Sequence, residues 1–131
     1  MLLVYPGFAI STHDIYQRHD HHFKQSLPRG PADSKFNIVM AGLKRGSMHL
    51  IKRGLFNALQ ETAFCKYPLL EIIKNSLEKA GAEHVQLTGS GSTVFVLLKD
   101  RSEGEKLARL IRKQIRSPLW TQIVRTIGKC N

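Results

Sequence analysis

Four residues, Gly89-Ser90-Gly91-Ser92, stand between two short strand-like runs, and no other segment restricts the fold of this chain as much. His84 to Leu87 alternates Val85 and Leu87 with polar neighbours, and Thr93 to Leu98 is a run of Val, Phe and Leu, so both read as strands. A connection this short joins antiparallel neighbours, because a parallel pair needs a crossover of roughly a dozen residues or more. The two glycines allow the positive φ angles that such a turn requires.

The other elements follow from periodicity. Leu2 to Tyr5 is an apolar strand closed by Pro6-Gly7, and Ser11-Thr12 supply hydroxyls that can cap a helix running to about His22. Phe23 to Asp33, with Pro28, Gly30 and Pro31, reads as a loop. Ser34 can cap a helix whose Phe36, Val39, Met40 and Leu43 form the stripe of a buried face, with Gly46 at its end. A further stripe, Ile51, Leu55, Leu59 and Ala63, predicts a helix from Ser47 to about Cys65 with Gly54 inside it.

Pro68 suits the first turn of the next helix, Leu69, Ile73, Leu77 and Ala80 continue its face, and Gly81 marks its end. Ser102-Glu103-Gly104-Glu105 has the capping-box pattern before a helix with Leu107, Leu110, Ile111 and Ile115. Leu119 to Ile127 closes the chain as a strand. The order β-α-α-α-α-β-β-α-β fits one domain over residues 1–131. It would be an α+β, ferredoxin-like sandwich, a four-stranded, mainly antiparallel sheet with extra helices after the first strand.

The longest uninterrupted apolar run, Val94 to Leu98, is far shorter than the roughly 20 residues of a membrane-spanning helix. The opening Met1 to Tyr5 lacks a basic leader and reads as a strand rather than a signal peptide, which points to the cytoplasm. Cys65 and Cys130 have no metal-type spacing and are expected as free thiols. The net charge is +10, and residues 101–131 hold eight Lys/Arg against Glu103 and Glu105, so the excess is concentrated late. Such a balance favours anionic partners, from nucleotides and diphosphates to nucleic acid, without choosing among them.

Thr88 to Thr93 carries the most chemistry. Exposed N–H groups and the hydroxyls of Ser90, Ser92 and Thr93 around Gly89 and Gly91 can cradle an anion, and the same residues can equally be a plain hairpin turn. No Gly-Lys-Ser/Thr follows, so this is not a Walker loop, and a strand rather than a helix comes next, so it is not a dinucleotide fingerprint.

Leu87-Thr88-Gly89-Ser90-Gly91-Ser92-Thr93-Val94-Phe95 resembles the third conserved motif of the GHMP kinase superfamily, a glycine-rich hairpin facing the active-site cleft. Tyr5-Pro6-Gly7-Phe8-Ala9-Ile10-Ser11-Thr12 with Tyr16 resembles the opening of the C-terminal domain in that superfamily's 4-diphosphocytidyl-2-C-methyl-D-erythritol kinases. Asn57-Ala58-Leu59 followed by Tyr67-Pro68 resembles their Asn-Asp-Leu helix and downstream proline. The three segments keep the family's order and spacing over most of residues 4 to 98. Ala58 stands where the family has Asp, Gln60 where Glu is common, and Ser92 where Pro is frequent.

The resemblance implies the substrate-side half of an ATP-dependent kinase of isoprenoid precursor biosynthesis. Tyr16 would stack on the cytosine of a cytidine-diphosphate substrate and Thr12 would lie beside it. ATP and magnesium would serve the complete enzyme. The family's ATP-binding loop and catalytic Lys and Asp belong to an N-terminal domain that no segment here matches, so no catalytic residue is assigned and the chain alone is expected to be inactive.

Two other classes compete with that reading. The basic helix with Arg109, Arg112, Lys113 and Arg116 suits an RNA-binding ferredoxin-like module, although such modules place alternating aromatics after a basic residue and Gly on a central strand, and Thr93-Val94-Phe95-Val96 lacks that pattern; nucleic acid is therefore not the expected partner. A dimerisation module is the other, through apolar surface left uncovered. His13, His19, His21 and His22 with Asp14 and Asp20 are rich in metal-ligand types, but adjacent His21 and His22 cannot share a helix face, and a solvated helix end is the expectation, with no metal assigned.

Overall fold

The computed structural model describes residues 1–23 and 31–126. The elements are β1 (Leu2–Tyr5), α1 (Thr12–Phe23), α2 (Pro31–Arg45), α3 (Met48–Gly54), α4 (Gln60–Lys66), α5 (Pro68–Lys79), β2 (Gln86–Leu87), β3 (Val94–Val96), α6 (Arg101–Gln114) and β4 (Trp120–Ile123). The sheet order is β2-β3-β1-β4 with every neighbouring pair antiparallel. This is the split arrangement of a ferredoxin-like sandwich, in which β3 lies between β1 and β2 and β1 lies between β3 and β4.

Register sorts the strand residues onto two faces. Leu2 pairs with Val96 and Ile123, Val4 with Val94 and Thr121, and Leu87 with Val94. The apolar members of that set are buried or nearly so and join one core with Leu70, Ile73 and Leu77 of α5, Leu107 and Ile111 of α6, and Ile15 of α1. The alternation of strand side chains sends Leu3, Tyr5, Phe95 and Gln122 to the other face. Gly104 lets α6 sit close to the sheet, since a Cβ there would meet Leu98 at 2.6 Å and Ile123 at 3.0 Å.

Several boundaries differ from those the sequence suggests. Part of the expected Phe23–Asp33 loop, residues 24–30, lies outside the described residues; Phe23 ends α1 and Pro31 opens α2, using its fixed φ at the first helical position. Ser34 is thus inside α2 rather than at its start. The stripe on α2 is not a core face: Phe36 is 64% and Leu43 59% exposed. The strands are shorter than expected, β4 ending at Ile123, while Ile127 and Cys130 lie outside the described residues. Cys65 is an exposed free thiol.

The helix expected over Ser47–Cys65 is two helices. Ser47 does cap the first, its hydroxyl accepting from Leu50 N–H at 3.4 Å. Gly54 is the last residue of α3, pressed so closely on α2 that a Cβ would lie 2.7 Å from the Val39 backbone nitrogen. Leu55 follows with extended ψ, and the chain resumes helix only at Gln60. The N-cap of α6 also sits two residues earlier than expected. Asp100 accepts from Glu103 N–H at 2.9 Å, and the Glu103 carboxylate accepts from Lys99 N–H at 2.6 Å, so Ser102 is already helical.

Candidate functional site

At one end of the sheet, where β1 ends and β2 turns into β3, the sequence brings its hydroxyl-rich segments together. After Tyr5 the chain turns at Gly7 (φ +85°) and reaches Ser11, whose hydroxyl accepts from Asp14 N–H at 3.3 Å and whose carbonyl accepts from Ile15 N–H. Ser11 therefore caps α1, and Thr12 begins its first turn. The hydroxyls of Thr12 and Ser90 are 2.9 Å apart, joining the start of α1 to the glycine hairpin across 78 residues of sequence.

The hairpin is shaped from both sides. Thr88 N–H donates to Thr93 O and Gly91 N–H to Thr88 O, each at 2.9 Å. Gly89 (φ +52°) and Gly91 (φ +100°) adopt backbone that other residues resist, and a Cβ on Gly91 would meet Ile10 at 3.0 Å. The Ser92 hydroxyl donates to Phe8 O. Ser92 is buried, so its hydroxyl is committed to the fold. Among the described residues, the N–H groups of Gly89 and Ser90 have no hydrogen-bond partner.

Asn57 and Gln60 brace the hairpin from behind, a role that reading residues 47–65 as one helix hid. The Asn57 amide donates to Leu87 O and Gly89 O, both at 2.8 Å, and its oxygen accepts from Leu59 N–H at 2.9 Å. The Gln60 side chain accepts from Leu87 N–H at 3.0 Å. Both sit where α3 has ended and α4 begins, so their side chains turn toward β2. The only signal for this in the sequence was the Asn57-Ala58-Leu59 motif itself.

α1 is tied to α4 as well. Lys66 contacts the Asp14 carboxylate, which also takes Arg18 at 3.2 Å, and the Thr62 hydroxyl lies 3.5 Å from His19 Nδ1. Tyr16 stands one turn beyond Thr12 on the same side of α1. Its ring is 52% exposed and is not part of the Thr12–Ser90 contact. Of the residues singled out from sequence, Thr12 and the Gly89–Thr93 hairpin are therefore brought together, with Tyr16 flanking them. Among the described residues no group of three or more His, Cys, Asp or Glu side chains could hold a metal ion; the His22 side chain lies outside them.

Comparison with known proteins relates this chain to part of longer kinases. The sequence model described as GHMP kinases C terminal matches residues 39–116. A 4-diphosphocytidyl-2-C-methyl-D-erythritol kinase of Caldanaerobacter subterraneus subsp. tengcongensis is 38% identical over 83% of this chain and 35% of its own length. The protein of that name from Thermodesulfovibrio yellowstonii is 32% identical over 97% of this chain and 42% of its own. The chain thus spans about two fifths of the length of these relatives.

Two solved structures share the fold. A 4-(cytidine 5'-diphospho)-2C-methyl-D-erythritol kinase superposes with a TM-score of 0.65 at 22% identity, covering 92% of this chain and 41% of the other. A homoserine kinase from Cytophaga hutchinsonii superposes with a TM-score of 0.74 at 18% identity, covering 94% and 41%. No helix among the described residues is long and apolar enough to cross a membrane.

Proposed function

The chain belongs to the GHMP kinase C-terminal family, and from that premise we propose that it is the substrate-side domain of an ATP-dependent kinase acting on 4-diphosphocytidyl-2-C-methyl-D-erythritol. The relatives that bear this name support the choice of substrate. The observation that carries the site is the Thr12–Ser90 contact, which sets the start of α1 against the glycine hairpin. The N-terminus of a helix holds a partial positive charge, and the unpartnered N–H groups of Gly89 and Ser90 add donors beside it. A diphosphate placed there would be held by backbone and hydroxyl donors.

Tyr16 is the group for the base. Its exposed ring, one turn from Thr12, gives a flat π-face within reach of a cytosine whose diphosphate lies at the hairpin. Asn57 and Gln60 position the hairpin, and Lys66 with Asp14 holds α1. Phosphoryl transfer itself calls for charge neutralisation and a group to receive the hydroxyl proton. In the complete enzyme the family resemblance assigns ATP and that chemistry to residues outside this domain, so the chain alone should turn over no ATP.

Titration with cytidine 5'-diphosphate tests this reading. Resonances of Thr12, Tyr16 and Gly89–Thr93 should shift on binding. Tyr16→Ala should weaken affinity by about 1–3 kcal/mol, the range for base–aromatic stacking. Undiminished affinity in that variant, or shifts confined to another part of the surface, would remove the support for the site.

A further inference from the structure

The end of the sheet opposite the glycine hairpin holds a cavity of about 630 Å³, a size common among small-molecule sites. Its lining comes from the residue before β1, the residues after β3, and the last residue of β4 with those that follow it. Met48, the first residue of α3, closes one side, and the start of α6 forms part of the rim. Thr12, Tyr16 and the Gly89–Thr93 hairpin take no part in it.

The side chains that line this cavity are sorted by depth. Leu97, Leu98, Ile123 and Val124 are half-buried, whereas Lys99, Arg101 and Arg125 are exposed. The apolar wall continues into the core, since Leu98 and Ile123 are the side chains for which Gly104 leaves room. Met48 is 45% exposed and stands at the opening, an unbranched thioether that adapts to the shape of what it meets.

The rim is positive. Lys99 and Arg125 have no carboxylate partner among the described residues. Arg101 meets Glu105 in an exposed i,i+4 pair, an interaction that solvent keeps weak. Asp100 is the one carboxylate in the lining among the described residues, and it is occupied in capping α6 through Glu103 N–H.

These two parts together select a ligand class. A nucleotide would set its sugar and phosphates against Leu97, Leu98 and Ile123, and among the described residues no aromatic side chain lines the cavity to take a base. An inorganic anion would leave the apolar wall in contact with water. An aliphatic chain with an anionic head satisfies both, the chain removing apolar surface from water while the head meets the cations. Three cations call for a head that can meet more than one of them, as phosphate oxygens can.

We propose that this cavity binds a single-chain alkyl phosphate, with the chain between Met48, Leu97, Leu98 and Ile123 and the head on Lys99 and Arg125. The site is separate from the one proposed for the cytidine diphosphate.

The test is a calorimetric titration of the full chain with octyl, decyl and dodecyl phosphate, each below its micelle-forming concentration. Affinity should rise with chain length, by up to about fourfold per methylene, and decanol should bind several-fold more weakly than decyl phosphate. Met48→Glu sets a carboxylate in the wall at a first-turn position that suits α3. It should weaken decyl phosphate binding by about tenfold or more while the thermal midpoint is kept. Lys99→Ala/Arg125→Ala should weaken it by about threefold or more. Lys113→Ala/Arg116→Ala removes the same charge about 18 Å or more along α6 from Arg101 and should change affinity by less than about twofold. Affinity that ignores chain length, equal losses in the two double variants, or full binding by Met48→Glu would overturn the proposal. Equally tight binding of inorganic phosphate, or competition by cytidine 5'-diphosphate, would overturn it too.

Discussion

α5 and α2 carry the same kind of apolar stripe and end in opposite environments. Leu70, Ile73 and Leu77 of α5 are fully buried against the sheet and α6. Phe36, Met40 and Leu43 of α2, at equally regular spacing, face outward. What holds α2 is its other side, where Gly42 and Gly54 bring the backbones of α2 and α3 close together and Lys35 Nζ donates to Arg53 O at 2.9 Å. The helix pair is fastened to the domain by Lys52, a buried side chain on α3 that reaches Glu83 at 3.1 Å. Periodicity thus says which residues share a face, and says nothing of whether another element lies opposite.

The comparison breaks most visibly if burial does not set the cost of truncation. Ile73→Ala should destabilise the chain by about 2–5 kcal/mol, the range for emptying a packed site. Leu43→Ala should stay within about 0.5 kcal/mol, as surface changes do. Urea denaturation of both variants is the measurement, and similar losses would show that the α2 stripe is covered in solution.

A smaller effect isolates the helix pair from the core. Gly54→Ala places a Cβ 2.7 Å from the Val39 backbone nitrogen and 2.9 Å from Lys35 O, backbone atoms that cannot swing aside. Overpacking of this kind costs about 1–3 kcal/mol. Hydrogen exchange should quicken in α2 and α3 while α5 keeps its protection. Uniform loss across the chain would instead make the pair and the core one cooperative unit.

The mildest expectation concerns pH. A hydrogen bond and the charge of Lys52 hold the Glu83 carboxyl below its ordinary value of 4.5. A depressed folded-state pKa stabilises the structure above the unfolded value, and that contribution fades as pH falls through the lowered one. Exchange in α3 should therefore quicken on acidification below about pH 4.5, and Glu83→Gln should remove that response. Persistence of the response in that variant would place the sensitive group elsewhere.

Much of the architecture was legible because it rests on local chemistry. Gly46 and Gly81 adopt positive φ just beyond α2 and α5, Pro68 opens α5, and the glycine turn joins antiparallel β2 and β3 as its brevity required. The break between α3 and α4 was not legible. Ile51, Leu55, Leu59 and Ala63 keep a helical period across it, and what interrupts the helix is tertiary, the close approach of Gly54 to α2 and the turning of Asn57 toward β2. The α6 cap was misplaced for a related reason, since Asp100 and Ser102 both precede a carboxylate at suitable spacing and only the backbone selects Asp100. Thr12 and Ser90 were each found as separate motifs, and their meeting across the sheet belongs to the topology.

The central position of β1 has a kinetic consequence. Leu2 takes Val96 on one side and Ile123 on the other, so neither edge of this strand is satisfied until nearly the whole described chain has been gathered. Helix pairs such as α2 with α3 assemble from chain neighbours, whereas the middle of the sheet carries the entropy of closing the longest loops. Completion of the sheet is then a distant event, and the meeting of Thr12 with Ser90, 78 residues apart, comes into being only with it.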